Sequence, residues 1–322
     1  MLGIEFVPNI PLSELVSHAV LAEECGFDAV WVTDHYNNRN AYVALSLLAG
    51  KTKKVKLGPG ATNPYHIHPA LTASAVASLD EASGGRAMLG VGAGDETTLA
   101  SIGIHREKPV ARLKEAVKII RCLLTGERVT FNGEFFKLNG AQLTCPASKI
   151  PIYIGAQGPR MLETASLIGD GVLINASHPL DFKYAISRLK HAKKGFDIAA
   201  YTSFSVDLDE KKAKEAVLPI VAYIVAGTPK FILERHGISL ETALNIRTAL
   251  ARGDYHTAFA SVTDKMANAF SIHGSPEHCL QRIHELYELG VTQVVIGSPI
   301  GPDKSAAIKL IGREIIPSLK KK

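Results

Sequence analysis

Apolar residues fall in short blocks along this chain, and between the blocks the spacing changes to that of a helix. The opening block "LGIEF" leads through Pro11 and Ser13 into "LSELVSHAVLAEECG", where Leu12, Leu15, Val16, Ala19 and Ala22 keep helical spacing until Gly26 ends the run. That is a strand followed by a helix. The alternation returns in "AVWVT" with "AYVALSLLAG", in "VKLGPGA" with "PALTASAVASLDEASG", and in "AMLGVGAG" with "RLKEAVKIIRCLLTG" after a loop. Four such units fill residues 1–126.

The segment "RVTFNGEFFKLNGAQL" breaks the rhythm. Asn132-Gly133 stands between alternating β-formers, which predicts a hairpin, here read as a surface insertion over about 127–145. Alternation resumes with "IPIYIGA" and "PRMLETASLIG", then "GVLIN" and "LDFKYAISRLKHAKK", then "AAYTSFSVDL" and "EKKAKEAVLPIVAYIVAG". Residues 228–273 show no convincing strand and several short helical patterns, which predicts a helical insertion before the last unit. "PEHCLQRIHELYELG" then leads into "TQVVIGSP", and "KSAAIKLIGREIIPSLK" closes the chain. Eight mostly apolar strands alternating with helices predict a (β/α)8 TIM barrel, a single domain over 1–322. A doubly wound open sheet is the alternative.

Composition agrees with one large core: the 322 residues are 46% hydrophobic. The formal charge of +5 comes from basic runs that are short and dispersed, at 51–56 ("KTKKVK"), Lys193-Lys194, Lys211-Lys212 and the "KKK" tail. Such runs predict solvated faces and no nucleic-acid partner. Cys25, Cys122, Cys145 and Cys279 form no C-x-x-C pair, so no disulfide framework is expected, in keeping with a reducing cytoplasm. No uninterrupted apolar stretch reaches membrane-span length and the N-terminus lacks a signal-peptide pattern, so a soluble, cytoplasmic protein is expected.

A parallel barrel brings the C-terminal ends of its strands to one face, where functional residues gather. In "VWVTDHY" an apolar strand ends on Asp34 and His35. Glu5 lies inside the first strand, where alternation asks for an apolar residue, and a carboxylate there must be paired, solvated in a cavity or kept neutral. Thr62 and Asn63 follow the third strand; Asp95 and Glu96 follow the fourth. All converge on one mouth. Asp34 has an ordinary reading as the cap of the next helix, and Asp95 as a solvated loop residue; Glu5 has no such easy account, and the set together favours a functional mouth.

The glycines of "GVGAGD" do not make a dinucleotide fingerprint, because the third glycine is replaced by Asp95 or Thr97 depending on the start. Small residues here, Gly94 among them, allow a flat ligand to approach the backbone. In "GAQG", Gly155 to Gly158 form a small-residue turn before Pro159, whose free N–H groups suit a phosphate; an ordinary βα loop is the alternative. His66 and His68 lack a partnering ligand set nearby, so no metal site is expected.

"IEFVPN", "VWVTDHY", "GPGATNPYHIHPA", "GGRAMLGVGAGD" and "YIGAQGPRMLETASLIGDGVL" occur in the order found in the bacterial luciferase-like barrel superfamily, which the chain resembles along essentially its whole length. Within it, "GIEFVPN" and "GAGDET" resemble the F420-dependent pterin reductases of methanogens, whereas "TDHY" and "GDGV" are shared more widely. The resemblance implies an archaeal oxidoreductase of methanogenesis and one-carbon metabolism. Its coenzyme would be F420, an 8-hydroxy-5-deazaflavin, its substrate a methylene-bridged tetrahydromethanopterin-type pterin, and its assembly a homodimer or homotetramer. It further implies a non-prolyl cis peptide at Gly60–Ala61 behind the deazaflavin ring. Asp34 and His35 would lie beside that ring with Thr62, Asn63 and Gly94, and Asp95 near the reacting carbon. Ala156, Gln157 and Gly158 would meet the phosphate.

Opening a methylene bridge between two pterin nitrogens requires a proton on the leaving nitrogen, which a carboxylic acid held in an apolar strand can supply. Glu5 is the candidate, with Asp95 as a second carboxylate that stabilises charge or orients the pterin. Two further readings stay open: another F420-dependent dehydrogenase acting on an alcohol or sugar phosphate, and an FMN-dependent luciferase-like monooxygenase. A non-catalytic flavin-binding member is a third.

Overall fold

The computed structural model describes residues 1–320. Strand β1 (Leu2–Phe6) is buried throughout, with Leu2, Ile4 and Phe6 in the core between strands and helices. The pleat therefore turns Gly3 and Glu5 toward the barrel interior. Helix α1 (Leu12–Glu24), β2 (Ala29–Val32), α2 (Ala41–Lys51), β3 (Lys56–Pro59), α3 (Pro69–Ser83) and β4 (Leu89–Val91) follow, then the short α4 (Glu96–Ala100) and α5 (Pro109–Leu124). After a hairpin come β7 (Ile152–Gly155), α6 (Pro159–Ile168), β8 (Gly171–Asn175), α7 (Pro179–Arg188) and the ten-residue β9 (Asp197–Val206).

The hairpin pairs β5 (Val129–Asn132) antiparallel with β6 (Lys137–Ala141). Asn132 still pairs with Lys137, and Gly133 N donates to the Phe136 carbonyl at 3.0 Å, so the turn is the four residues 133–136. Beyond α8 (Glu210–Gly227), helices α9 (Lys230–Arg235), α10 (Leu240–Ala251), α11 (Tyr255–Ala260) and α12 (Asp264–Phe270) build an apolar cluster of their own against α8. The chain ends with α13 (Pro276–Glu288), β11 (Gln293–Ile300), α14 (Lys304–Leu310), a π-helical turn and α15 (Ile316–Lys320).

Eight parallel strands run in the order β3-β2-β1-β11-β9-β8-β7-β4, and the bridges Leu57 to Ala87 and Thr62 to Val91 join β3 to β4 and close the circle. The fold is a (β/α)8 barrel. One strand departs from the pattern read in the sequence: β10 (Ile272–Gly274) pairs parallel with Phe204, Ser205 and Val206 at the end of β9. Three residues carry too little periodicity to stand out among helical patterns.

Inside the barrel, Ala29, Trp31, Met88, Tyr153, Leu173, Ala199 and Val295 form a separate cluster, with Ala61 and Tyr201 packed above it. Trp31 meets Tyr153 edge-on, with ring centroids 5.3 Å apart. This plug fills the lumen and leaves chemistry to the mouth. Among the described residues no helix is long and apolar enough to cross a membrane.

Candidate active site at the barrel mouth

Glu5 is 8% exposed, and both of its carboxylate oxygens are engaged. Oε1 accepts the Thr33 hydroxyl at 2.5 Å, and Oε2 accepts the backbone N–H of Ser298 at 3.0 Å. Glycine at 297 permits this approach, because a Cβ there would lie 3.0 Å from Oε2 and 2.1 Å from the Thr202 carbonyl. Tyr201, on the neighbouring strand β9, donates its hydroxyl to the Gly60 carbonyl at 3.0 Å. Burial first, and then the Glu5 charge, push this phenol well above its usual range, while a Thr33 hydrogen bond acts the other way. Tyr201 is therefore a fixed neutral donor.

The Gly60–Ala61 peptide is cis. A Cβ on Gly60 would fall 3.1 Å from the Trp31 ring and 3.0 Å from the Tyr201 hydroxyl. At Gly92 the nearest atoms to an added Cβ are the Gly155 Cα at 3.6 Å, the Gly155 carbonyl oxygen at 3.8 Å and the Ala61 Cβ at 3.9 Å. Three strand ends thus meet in a bare floor of glycine and alanine, where the backbone itself can be approached closely.

Asp34 is buried and does not cap α2; Asn40 does, accepting from Tyr42 N and Val43 N. Asp34 Oδ2 lies 3.4 Å from His66 Nε2 and has no hydrogen-bond partner. The buried Tyr42 hydroxyl and Thr62 Oγ1 lie beside each other, away from the residues that line the cleft. Burial, with the Asp34 charge second, raises the Tyr42 phenol, opposed by the Thr62 and Thr72 hydroxyls. The unpaired Asp34 Oδ2 beside the cleft is what a polar ligand edge would satisfy.

Asp34, His35, Tyr36, Asn63, His66, Asp95, Thr98, Leu99 and Ile102 line that cleft. Asn63 Oδ1 accepts from Tyr65 N at 3.1 Å and His66 N at 3.4 Å, closing the turn after β3. Gly94 has φ 72°, and a Cβ there would come 2.7 Å from Leu99 Cδ1. Asp95 is the cap of α4: its Oδ1 accepts from both Thr98 N and Thr98 Oγ1 at 2.7 Å. The capping role read as the ordinary alternative for Asp34 thus falls to Asn40 at α2, while Asp95, exposed at the rim, caps α4.

The "GAQG" turn stands across the mouth. Ala156 N donates to the Leu173 carbonyl at 3.0 Å, and Gln157 Nε2 donates to the Asn175 carbonyl at 3.3 Å. Gly158 begins α6 with no side-chain cap and with Pro159 in its first turn, which leaves backbone amides free at that end. Gln157 faces a second hollow, shared with Asn175, Tyr184 and Arg235 under the helical insertion. The mouth thus gathers Asp34, His35, Asn63 and Asp95 in one cleft and sets Gln157 apart.

Thr33, Tyr201, Ser298 and His66 were not singled out as site residues by sequence reasoning. Thr33 shares the inward register of Trp31, a signal that was available. Ser298 acts through its N–H, which no residue type reveals. His68 accepts from Ala70 N at 3.2 Å as the cap of α3. Among the described residues no three His, Cys, Asp or Glu side chains group to hold a metal.

A closed parallel barrel with a non-prolyl cis peptide after its third strand and a bare floor at its mouth places this chain in the luciferase-like monooxygenase family, whose profile matches residues 4–293. The chain is 54% identical to the 5,10-methylenetetrahydromethanopterin reductase of Archaeoglobus fulgidus, over 99% of both chains. It is 44% identical to the enzyme of the same name from Methanopyrus kandleri, over 99% of this chain and 98% of the relative. The solved structure of the coenzyme F420-dependent tetrahydromethanopterin reductase from Methanopyrus kandleri superposes with a TM-score of 0.94 at 42% identity, covering 98% of each chain.

Proposed function

We infer that this protein transfers a hydride from reduced coenzyme F420 to 5,10-methylenetetrahydromethanopterin, giving the 5-methyl pterin. The observation that carries this reading is the full-length likeness, 54% and 44% identical, to reductases of that name. When bound, the deazaflavin supplies the hydride from its C5 carbon.

Gly60, Ala61, Gly92 and Gly155 would receive the face of the ring. Asp34, His35, Thr62, Asn63 and Gly94 would receive its polar edge, where the buried Asp34 Oδ2 lacks a partner. Ala156, Gln157 and Gly158 would meet the phosphate through free amides at the start of α6.

Glu5 supplies the proton. Its Oε2 is committed to the Ser298 N–H, an obligate donor, so when the acid takes up a proton that proton sits on Oε1. From there it bridges to the Thr33 hydroxyl or passes to the substrate. As a pterin bridge nitrogen takes this proton, its bond to the methylene carbon breaks with the electron pair left on nitrogen, and the carbon becomes an iminium ready for hydride. Asp95 retains one oxygen beyond its cap, free to orient the pterin. The Trp31 and Tyr153 plug excludes water from below.

We further propose that 1–322 is one domain, that the protein is cytoplasmic, and that it pairs with a second copy of itself. Supporting the pairing, α2 between 41 and 50 and α3 between 69 and 79 carry no charge, yet expose Val43, Leu47 and Leu71. The assay for the activity is anaerobic mixing with reduced F420 and the methylene pterin. Return of oxidised deazaflavin absorbance that needs both protein and pterin is the expected result. Binding without return would redirect the reaction to alcohols and sugar phosphates.

A further inference from the structure

The hairpin insertion is tied to the mouth through one residue of α5. Arg112 places its guanidinium carbon 4.7 Å from the ring centroids of both Tyr65 and Phe135 and 5.5 Å from that of Phe136. Its Nε is buried and has no hydrogen-bond partner, so aromatic faces stand where acceptors would be. Tyr65 belongs to the turn after β3; its N–H closes on Asn63 Oδ1, and its hydroxyl donates to the Glu107 carbonyl at 2.7 Å. The next residue, His66, is the one that faces Asp34.

The hairpin is held to the same helix one turn along. Glu115 accepts the N–H groups of Glu134, Phe135 and Phe136 at 2.8, 3.0 and 3.3 Å. A Cβ at Gly133 would lie 2.3 Å from the Glu115 carboxylate, so glycine there lets the turn close on it. Phe136 also meets the His68 ring edge-on at 5.4 Å, at the cap of α3. The insertion therefore reaches the loop 61–68 at two points, the Tyr65 ring through Arg112 and the His68 ring directly, on either side of His66 and close after Asn63.

We propose that Arg112 is a positioning residue. Through the Tyr65 ring it fixes the turn that carries Asn63 and His66, and the hairpin braces this wall of the cleft from outside. The inference rests on the F420 reading of the cleft, since the wall it fixes is the one assigned to the polar edge of the deazaflavin. A cation among three rings is suited to this, because it holds aromatic side chains of separate segments together without needing a hydrogen-bond partner from each.

The test is a titration of the purified protein with oxidised F420, followed by its fluorescence, alongside melting curves and steady-state kinetics. Arg112→Met should weaken F420 binding about fivefold or more. KM for the coenzyme should rise more than kcat falls, and Arg112→Lys, which keeps the cation without the planar guanidinium, should recover part of the loss. Arg112→Met with wild-type affinity, whatever its melting temperature, would overturn the proposal. Should Arg112→Met not fold, Glu115→Gln, which loosens the hairpin turn, must raise the dissociation constant in the same direction; an unchanged constant overturns the proposal equally. Absence of F420 binding by the wild-type protein would overturn the coenzyme reading itself, and this inference with it.

Discussion

The Glu5 carboxylate and the Thr33 hydroxyl lie 2.5 Å apart at the top of the barrel, joining the ends of β1 and β2. The contact decides which oxygen of the acid is available. Oε2 is held by a backbone amide that Gly297 allows to approach, so a proton given up by this acid would leave from Oε1, beside the Thr33 hydroxyl. Glu5→Gln keeps the size of the side chain and removes the acid. It should lower kcat at least about a hundredfold while F420 still binds. Near-normal turnover in pre-steady-state mixing would remove Glu5 from the proton path. Thr33→Val should cost less, about tenfold, because it disturbs the placement of the proton and leaves its source.

Asp95 separates capping from chemistry. Alanine there removes the acceptor for Thr98 N and should cost about 1 kcal/mol of stability. Asparagine keeps the cap and should melt close to wild type. If the second oxygen orients the pterin, both variants lose turnover, the asparagine variant without loss of stability. Thermal melts paired with kcat for the two variants tell the roles apart.

Much of this arrangement is legible in the chain and some is not, for physical reasons. The barrel strands are buried on both faces, so each shows as an apolar block, and the eight blocks read from sequence are the eight strands that close the circle. Asp34 stands out because polarity follows such a block without a turn. The partners of Glu5 are another matter. One is an amide on a strand almost three hundred residues away, and backbone groups leave no mark in a sequence. Whether Asp34 or Asp95 caps a helix also escapes sequence reasoning, since both precede helical patterns; Asn40 and Thr98 settle it through backbone geometry.

The glycine floor gives a pair of substitutions with opposite signatures. At Gly92 an added methyl meets nothing closer than 3.6 Å, so Gly92→Ala should leave the melting temperature nearly unchanged. It should still weaken F420 binding, because the methyl occupies the face assigned to the ring. At Gly60 the methyl would press on Trp31 and Tyr201 at 3.0 to 3.1 Å, and Gly60→Ala should destabilise by about 1 to 3 kcal/mol. Calorimetry with and without F420 checks both. Unchanged binding in Gly92→Ala would place the ring elsewhere.

His178 and His273 carry a pH dependence. Burial, reinforced by Arg282 at the first and by His278 and Lys214 at the second, lowers both to about 4 from the ordinary 6.5; Asp181 and Glu285 oppose this at His178, and Asp264 at His273. Above about pH 6.5 folded and unfolded chains both hold neutral rings. As pH falls from about 6.5 toward about 4, the unfolded chain takes up protons that the folded chain refuses, so stability falls across that window. Melting temperatures measured between those limits should decline, and His273→Gln should flatten the decline. An equal slope in that variant would assign the loss to other groups.

The outer faces of α2 and α3 carry the last prediction. From 41 to 50 and from 69 to 79 neither helix has a charged side chain, while Val43, Leu47 and Leu71 are 51%, 44% and 65% exposed. Ser46, Gly50, Ser74 and Ser78 are the exposed residues around them, small enough for another pair of helices to approach closely. A solvated face on a chain with 21% charged residues would carry lysine or glutamate at these positions, so the pattern suits contact with a second copy. Light scattering of the purified protein should report at least a dimer. Leu71→Asp with Leu47→Asp, which places like charges at the centre of the face, should shift it to monomer. A wild-type monomer, or a double variant that stays assembled, would move the contact to another face.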